Sequence, residues 1–297
     1  MQQVTEKGGP ERREMRTDET GKQRRILGIM GSRRTLGNCE LFVKEVARQV
    51  PEKHELALLR LPELNIQPCS GCYRCIGEGR CWIADDIPFV VDQVAHADAL
   101  IIASPVYFLG THGSVKGLLD RAFSFFPAVE KRGRIPAILV TTYGMTDKIG
   151  CAPQALLTLA AFLDLEVKSS VSLKAALPGD VLLSTQHLKT ASRLGKLLFA
   201  TKTRSRPKGR ACPFCGNEIV RMRKSDFICT LCHGSFTLDG TGRPQRGRPG
   251  WDVADIEFVR EHRKWLMGMK ARFMAQRKTL LARSLPYKEM GTWVKPE

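Results

Sequence analysis

Eight of the ten cysteines in this sequence lie in two groups of four, and the other two, Cys39 and Cys151, stand alone. A secreted chain could pair an even number of cysteines as disulfides. Clustered Cys-x-x-Cys pairs in a cytosolic chain more typically bind metal. The spacing within the two groups therefore predicts two metal centres.

The first group consists of Cys69, Cys72, Cys75 and Cys81, with two, two and five residues between them. Three evenly spaced thiolates can wrap the chain around a cube and reach three of its irons, so the run predicts a [4Fe–4S] cluster. The run differs from that of ferredoxins because the fourth cysteine is local and is followed by Trp82 instead of proline. A structural zinc site is the alternative, although zinc favours two separated pairs.

The second group consists of Cys212, Cys215, Cys229 and Cys232, two Cys-x-x-Cys pairs separated by thirteen residues. Two such knuckles, with Gly216 directly after the first and Gly234 two residues after the second, form a tetrahedral four-thiolate site, as in zinc ribbons. A rubredoxin-type iron is the alternative. The first knuckle lacks the aromatic residue, and the second lacks the Cys-Pro sequence, that rubredoxins usually carry. The pattern therefore favours zinc.

A loop with the composition of a phosphate site follows the first apolar run, residues 26–30. Residues 31–38 begin with Gly-Ser and end with Gly-Asn just before a helical pattern. Backbone N–H groups at a helix N-terminus can bind phosphate, with Ser32 adding a hydroxyl and Arg34 a charge. The alternative is an ordinary turn in which Asn38 caps the helix. The loop is not a P-loop because the Gly-Lys-Ser/Thr ending is absent.

Two more polar loops follow apolar runs, at residues 104–108 and 141–145. The runs alternate with helical patterns of ten or more residues, which indicates parallel βαβ units. We therefore predict an α/β fold with a flavodoxin-like, doubly wound parallel sheet of five strands in the order 2-1-3-4-5. All three loops then lie at the carboxyl edge of the sheet. The predicted strands are 26–30, 54–61, 97–105, 135–142 and 167–173, and the predicted helices are 41–50, 116–126, 152–163 and 183–200.

The remaining segments give the domain organisation. We predict a polar tail (1–24), the flavodoxin-like domain (25–200), a basic linker (201–210), a ribbon module (211–238), and a linker with an amphipathic basic helix (239–297). The net charge is +17, of which residues 201–297 carry +12 and residues 26–200 only +3. This imbalance predicts an acidic partner, either a protein or a nucleic acid.

Composition and the N-terminal sequence exclude several classes. Hydrophobic residues make up 43% and charged residues 26% of the chain, which excludes wholesale disorder. No apolar window is long enough to span a membrane, and the first 25 residues lack the apolar core of a secretory signal. We therefore expect a cytoplasmic protein without membrane contact. The histidines form no triad or metalloprotease pattern, so we expect no catalytic side chain and place the chemistry on cofactors.

Together, the loop 31–38, the run Cys69…Cys81, the stretch 97–108 and the segment Lys-Gly-Leu-Leu-Asp-Arg at 116–121 resemble the iron–sulfur flavoprotein family. That family lies within the NADPH-dependent FMN reductase-like group of flavodoxin folds. The resemblance covers residues 25–200 and implies FMN, one [4Fe–4S] cluster per chain, and a homodimer or homotetramer. The residues it implies for the FMN phosphate are Ser32, Arg34, Gly37 and Asn38. Those it implies for the flavin ring are Pro105, Val106, Tyr107, Phe108, Thr142, Tyr143, Gly144 and Met145.

Cys39 is a departure from this family, whose members often have threonine there. A thiolate facing a phosphate would be repelled, so we expect Cys39 to be a neutral, buried thiol beside the cofactor.

The function that this resemblance implies is electron transfer by a flavin-dependent oxidoreductase. A one-electron donor such as ferredoxin, an acidic protein, would reduce the cluster, and FMN would reduce a quinone, dioxygen or peroxide. Direct use of NAD(P)H, as an FMN or quinone reductase, is the first alternative. A redox-sensing nucleic-acid-binding protein is an alternative of another class, disfavoured because no base-reading helix can be named. In a third interpretation the ribbon and C-terminal helix serve dimerisation and stability.

Overall fold

The central sheet contains five parallel strands. The computed structural model describes residues 23–201, 211–224, 226–253 and 255–285. The strands are β1 (Arg24–Met30), β2 (His54–Arg60), β3 (Ala99–Tyr107), β4 (Gly110–Thr111), β5 (Ile135–Tyr143) and β6 (Leu165–Lys174). They are ordered β2-β1-β3-β5-β6, with the short β4 antiparallel to the end of β3. The predicted flavodoxin-like order is confirmed.

Helices cover both faces of this sheet, and a single long helix ends the described chain. The helices are α1 (Asn38–Arg48), α2 (Arg74–Glu78), α3 (Ile87–Ala95), α4 (Gly113–Asp120), α5 (Phe126–Arg132), α6 (Ala152–Phe162), α7 (Asp180–Leu183), α8 (Thr185–Leu198) and α9 (Glu257–Ser284). Short 3-10 turns occupy Leu61–Glu63 and Ala122–Ser124. The sequence analysis missed α2 and α3.

Two apolar layers hold the helices on the sheet. Alternate residues of a strand point to opposite faces, so Ile26 and Met30 of β1 pack into one layer while Leu27 and Ile29 pack into the other. A buried parallel strand is apolar on both faces, and for this reason β1, β3 and β5 appear in the sequence as short continuous apolar runs. Gly28 lets α1 approach closely, since a Cβ there would lie 2.6 Å from Val43 Cγ1.

The helix predicted at 116–126 is wrong as a single element. The structure has α4, a 3-10 turn and then α5 in its place. Pro127 lies in the first turn of α5. Proline has no N–H to donate and clashes with the carbonyl of the preceding turn, so a helix cannot run through it, whereas a helix can begin with it. The helix predicted at 183–200 is confirmed as α8, which is capped by the Ser184 side chain, whereas the short α7 before it was not predicted.

The second cysteine group lies in a small antiparallel sheet. Its strands are β7 (Val220–Arg223), β8 (Asp226–Cys229), β9 (Ser235–Leu238) and β10 (Pro244–Arg246), in the order β10-β9-β8-β7. Strand β10 lies within the stretch that was predicted to be a linker. It pairs with β9, and the pairing continues past its end, where the Gly247 N–H donates to Ser235 O at 3.0 Å. The predicted tail and basic linker lie almost entirely outside the described residues.

Helix α9 packs on the central domain with its first half. His262 stacks on Phe123 with ring centroids 5.6 Å apart, and Arg263 Nε donates to Ile76 O at 2.7 Å. The second half is exposed, including Phe273 and Leu281, so the predicted apolar face is used only near its start. Although α9 has 28 residues, eight are Lys or Arg. Within the described ranges no helix is both long and apolar enough to cross a bilayer.

Candidate cofactor and metal sites

Three loops meet at the carboxyl edge of the sheet, as the topology predicts. Strand β3 is the neighbour of both β1 and β5, with Met30 opposite Ala103 and Pro105 opposite Thr142. The loops that follow these strands therefore begin side by side. In doubly wound sheets a ligand binds at this edge, where the strand order reverses between β1 and β3.

The loop after β1 turns tightly into α1. Gly31 donates to Ala103 O at 2.8 Å, and a Cβ at Gly31 would lie 3.0 Å from Ser104 Oγ. Ser32 Oγ accepts from Arg34 N at 3.3 Å, and the Arg34 side chain is exposed. Gly37 is the N-cap of α1 and offers no side-chain cap. The first-turn N–H groups of α1 are therefore free of a side-chain cap, which suits a phosphate there.

Asn38 is not the N-cap of α1, as the alternative interpretation of the loop would have it. It is the first residue of α1 and is buried. Its Nδ2 donates to Ala175 O at 3.1 Å and to Leu177 O at 2.9 Å, while its Oδ1 accepts from Val181 N. The side chain thus ties α1 to the loop after β6. Only its backbone N–H remains to serve the predicted phosphate site.

Glu40 fixes the shape of this loop, and the sequence analysis missed it. Its buried carboxylate accepts from Leu36 N at 2.8 Å, from Lys44 Nζ at 2.5 Å and from Arg60 Nη2 at 2.6 Å. Burial alone would raise the pKa of Glu40, but the hydrogen bonds from Lys44 and Arg60 lower it to about 2. Leu36, at φ 50°, is held in the left-handed region by this contact.

Cys39 is the neutral, buried thiol that the sequence predicts. It is 2% exposed, and its Sγ lies 3.4 Å from Thr142 Oγ1 at the end of β5. Burial raises the pKa of Cys39 to about 11, even though the hydrogen bond to Thr142 opposes the shift. The contact places the start of α1 against the third loop, so the two predicted parts of the site adjoin.

The loops after β3 and β5 present exposed aromatic and apolar side chains. Tyr107 is half exposed, Phe108 is fully exposed and Met145 is 69% exposed. The two loops are joined where Leu109 O accepts from Cys151 N at 2.8 Å and from Cys151 Sγ at 3.3 Å. Pro105, Val106 and Tyr143 are half-buried, Thr142 is buried and Gly144 is exposed. The eight residues predicted for the flavin ring therefore lie at the carboxyl ends of β3 and β5 and at the start of the two joined loops that follow them.

These features fit FMN. Uncapped N–H groups and the Ser32 hydroxyl suit a terminal phosphate, and the exposed side chains of the other two loops offer apolar surface to a planar ring. Cys39 supplies no negative charge at neutral pH that would oppose the phosphate.

The first cysteine group surrounds one surface opening beside α4. Cys69 and Cys72 are exposed, while Cys75 and Cys81 are partly buried. Hydrogen bonds, first from the Arg74 N–H and then from Ser70, lower the pKa of Cys72, whereas burial raises that of Cys75. All four cysteines line the opening together with residues that include Trp82, Asp120, Arg121 and Ser124.

The first group is spaced too widely for a single ion. Within the described part of the chain, three or more potential metal-ligand atoms lie within 4.8 Å of one another only in the second group. A tetrahedral ion with metal–sulfur bonds of about 2.3 Å would hold its sulfurs about 3.8 Å apart. In a four-iron cluster each thiolate binds its own iron, so the sulfurs stand farther apart. The wider spacing of the four thiols is thus one that a [4Fe–4S] cluster can fit.

The second cysteine group has the spacing of a single-ion site. Cys212 Sγ lies 3.6 Å from Cys232 Sγ, and Cys215 Sγ lies 3.5 Å from Cys229 Sγ. Backbone N–H groups of Leu231 and Cys232 donate to Cys229 Sγ. The Cys215 thiol and then that of Cys232 lower the pKa of Cys229, and the backbone donors act in the same direction. The site fits one tetrahedral metal, which zinc or iron would satisfy.

His233, next to this site, is engaged elsewhere. Its ring lies 4.9 Å from that of Trp251, and its backbone has a φ of 60°. The group of ligand atoms gathered at the second site consists of the four cysteines. The imidazole therefore packs beside the metal site.

A family model for NADPH-dependent FMN reductase matches residues 24–176, more than half of the chain. The chain belongs to this family. The description of this family names FMN as its flavin, and FMN is the flavin that the loops fit.

Two proteins that are similar to this chain are iron–sulfur flavoproteins. One, from Methanocaldococcus jannaschii, is 37% identical over 99 residues, which are 33% of this chain and 51% of that protein. Another, from Archaeoglobus fulgidus, is 27% identical over 187 residues, 62% of this chain and 84% of that protein. The match thus spans about half the length of the first relative.

A solved structure of a flavone reductase resembles the whole fold. Its TM-score is 0.69 at 17% identity, and the match covers 92% of this chain and all of that one. At this identity the likeness concerns the fold alone. It extends beyond the family-matched segment 24–176.

Proposed function

We propose that the chain is an FMN- and [4Fe–4S]-dependent electron-transfer oxidoreductase. A one-electron donor would deliver electrons at the first cysteine group, and a small acceptor such as a quinone, dioxygen or peroxide would be reduced at the flavin. When bound, a four-iron cluster transfers single electrons and FMN stores two, so the pair couples one-electron donors to two-electron acceptors. One observation carries the proposal. The four thiols of the first cysteine group line one surface opening, but they lie too far apart to converge on a single ion.

Different residues of the chain would hold FMN and the iron–sulfur cluster. Ser32, Arg34, Gly37 and the Asn38 N–H would bind the phosphate, and residues 105–108 and 142–145 would hold the ring. Cys69 and Cys72 are exposed, which gives the cluster an edge that a donor protein can reach. The exposed Met145 leaves one side of the flavin ring open to an acceptor.

We further propose zinc for the second group, an acidic donor protein, and assembly as a homodimer or homotetramer. Zinc suits a closed four-thiolate site with a structural role. The charge of +12 on residues 201–297 supports an acidic protein partner. The apolar exposure of Tyr107, Phe108 and Leu109 supports burial against a second copy.

Cofactor analysis of anaerobically purified protein tests the proposal. We expect one FMN, four irons with four acid-labile sulfides, and one zinc per chain. Zinc at both cysteine groups without labile sulfide would contradict the electron-transfer function. FAD in place of FMN would contradict the assignment of the phosphate loop.

Direct reduction by NADPH is the second candidate function, favoured by the description of the family that the chain belongs to. The nicotinamide would stack against the flavin at the open loops 105–108 and 142–145. Rapid anaerobic bleaching of the flavin by NADPH, in both the wild type and a cluster-free variant, would favour this function over the first.

A further inference from the structure

The buried side chain of Arg121 contacts the first cysteine group. It belongs to none of the three loops assigned to FMN. The Arg121 side chain is 1% exposed. Its Nη2 donates to Cys81 Sγ at 3.0 Å and to Asp85 Oδ1 at 3.2 Å. Its Nη1 donates to Asp85 Oδ2 at 2.7 Å and to Gln67 O at 2.8 Å. The guanidinium thus joins a cysteine of the first group to a buried carboxylate.

The energetic cost of burying the Arg121–Asp85 ion pair indicates that its role is to hold a positive charge against the Cys81 sulfur, not to stabilise the fold. Burying a guanidinium and a carboxylate costs several kcal/mol per ion before their attraction is counted, so such a pair stabilises a fold only weakly. Arg121 Nε has no hydrogen-bond partner among the described residues, which adds to the cost. A neutral thiol accepts hydrogen bonds poorly, whereas a thiolate accepts strongly from a cation.

Asp85 holds the cation in place. Its side chain is fully buried, and besides the guanidinium it accepts from Gln67 N at 3.0 Å and from Ile87 N at 3.1 Å. The guanidinium donates to both oxygens of the Asp85 carboxylate, and an arginine side chain stays protonated in proteins. The guanidinium therefore stays charged and directed at the sulfur.

Two other cations near the first group, Arg74 and Arg80, are exposed. The guanidiniums of Arg74 and Arg80 lie over the Trp82 ring, 5.1 and 4.6 Å from its centroid, and both residues are exposed. Water and salt screen exposed charges strongly and buried charges weakly. The charge of Arg121 is therefore screened less than the charges of Arg74 and Arg80.

We infer that Arg121 is a positioning residue that donates a hydrogen bond to the ligand sulfur of Cys81 and raises the reduction potential of the [4Fe–4S] cluster. The inference rests on the proposed function, which places that cluster on the first cysteine group. One-electron reduction adds a negative charge to the cluster, and a buried positive charge at a ligand sulfur stabilises the reduced form. Net charge and hydrogen bonds to the sulfurs are general determinants of such potentials. Asp85 has the opposite charge and should have the opposite effect.

Two substitutions with opposite expected signs test the inference by redox titration of the cluster, monitored by its electron paramagnetic resonance. Arg121→Gln, in the full-length holoprotein, should shift the midpoint potential to a lower value. Asp85→Asn should shift it to a higher value, because the Arg121 charge is then less compensated. Arg80→Gln, which removes an exposed cation of the same loop, is the matched control and should leave the potential unchanged.

The outcomes separate the inference from the proposed function. Unchanged potentials in both variants, with only a lower iron content, would mean that Arg121 merely supports the loop, and would overturn the inference alone. Shifts of the same sign would also overturn it. Should Arg121→Gln fail to retain iron, Asp85→Asn decides, since the absence of an upward shift there contradicts the inference. Zinc at this site in the wild type would overturn both the inference and the proposed function.

Discussion

At the scale of single residues, Glu40 connects the phosphate loop to the stability of the fold. Its carboxylate is buried and accepts from Leu36 N, Lys44 and Arg60. The pKa of Glu40 falls from an ordinary value near 4.5 to about 2 in the folded protein. A carboxyl group with a lowered folded pKa stabilises the fold above its unfolded pKa. That contribution is lost as the pH falls through the folded value.

We therefore predict that Glu40→Gln lowers the free energy of unfolding by roughly 2 kcal/mol at pH 7. The difference from the wild type should shrink as the pH falls from about 4.5 to about 2. Urea denaturation at a series of pH values measures it. Glu261→Gln, an exposed glutamate of α9, is the control and should change little. A difference that stays constant over this pH range would show that the charge of Glu40 contributes nothing.

The candidate metal ligands were predictable from the sequence, whereas the residues that contact and support them were not. A metal site of this kind can be predicted from the spacing of its cysteines along the sequence, so all eight clustered cysteines could be named in advance. Arg121 reaches Cys81 across 40 positions, and Arg60 reaches Glu40 across 20. Contacts at such separation exist only once the chain has folded. A single sequence shows no spacing rule for them.

At the scale of elements, the two cysteine groups lie in separate local structures. The first lies around α2, beside α4 of the central domain, and the second lies in the sheet β7–β10. The ribbon contacts the central domain through Gln154 Nε2, which donates to Thr230 O at 3.3 Å. Each metal site should therefore load independently of the other.

We predict that Cys72→Ala abolishes the iron–sulfur absorbance while FMN and the second metal remain. Cys232→Ala should remove the second metal and leave iron and FMN at wild-type levels. Metal analysis and visible spectra of both variants measure this. Loss of both metals in either variant would contradict the independence of the two sites. Full iron content in Cys72→Ala would show that Cys72 is not a ligand.

The order of the elements was predictable because buried parallel strands and their crossover helices leave a strong pattern. The sheet order of the central domain followed from that pattern. The break between α4 and α5 was missed because the apolar spacing continues through it, although Pro127 was a visible sign. Helix α2 was missed because five residues are too few to show helical periodicity.

At the scale of the whole molecule, the charge is concentrated in the C-terminal third. Helix α9 presents Lys264, Arg272 and Lys278 to solvent while its first half packs on Phe123 and Ile76. Removal of the helix would therefore uncover the central domain. Substitution of exposed charges separates the electrostatic role of α9 from its packing.

We predict that Arg272→Glu with Lys278→Glu slows reduction by ferredoxin several-fold at low ionic strength. The difference should largely vanish at 1 M salt, where the Debye length is about 3 Å. Lys189→Glu with Arg193→Glu, two exposed cations of α8, is the matched control. Rapid-mixing kinetics at several salt concentrations measure both. Equal slowing by the two pairs would place the donor contact outside α9.

The central claim is that electrons from a one-electron donor enter through the first cysteine group. The most direct test is the rate of flavin reduction by reduced ferredoxin in the wild type and in Cys72→Ala, both loaded with FMN under anaerobic conditions. The account predicts at least a tenfold slower rate in Cys72→Ala, with photochemical reduction of the flavin unchanged. Equal rates of reduction by ferredoxin in the two proteins would contradict it.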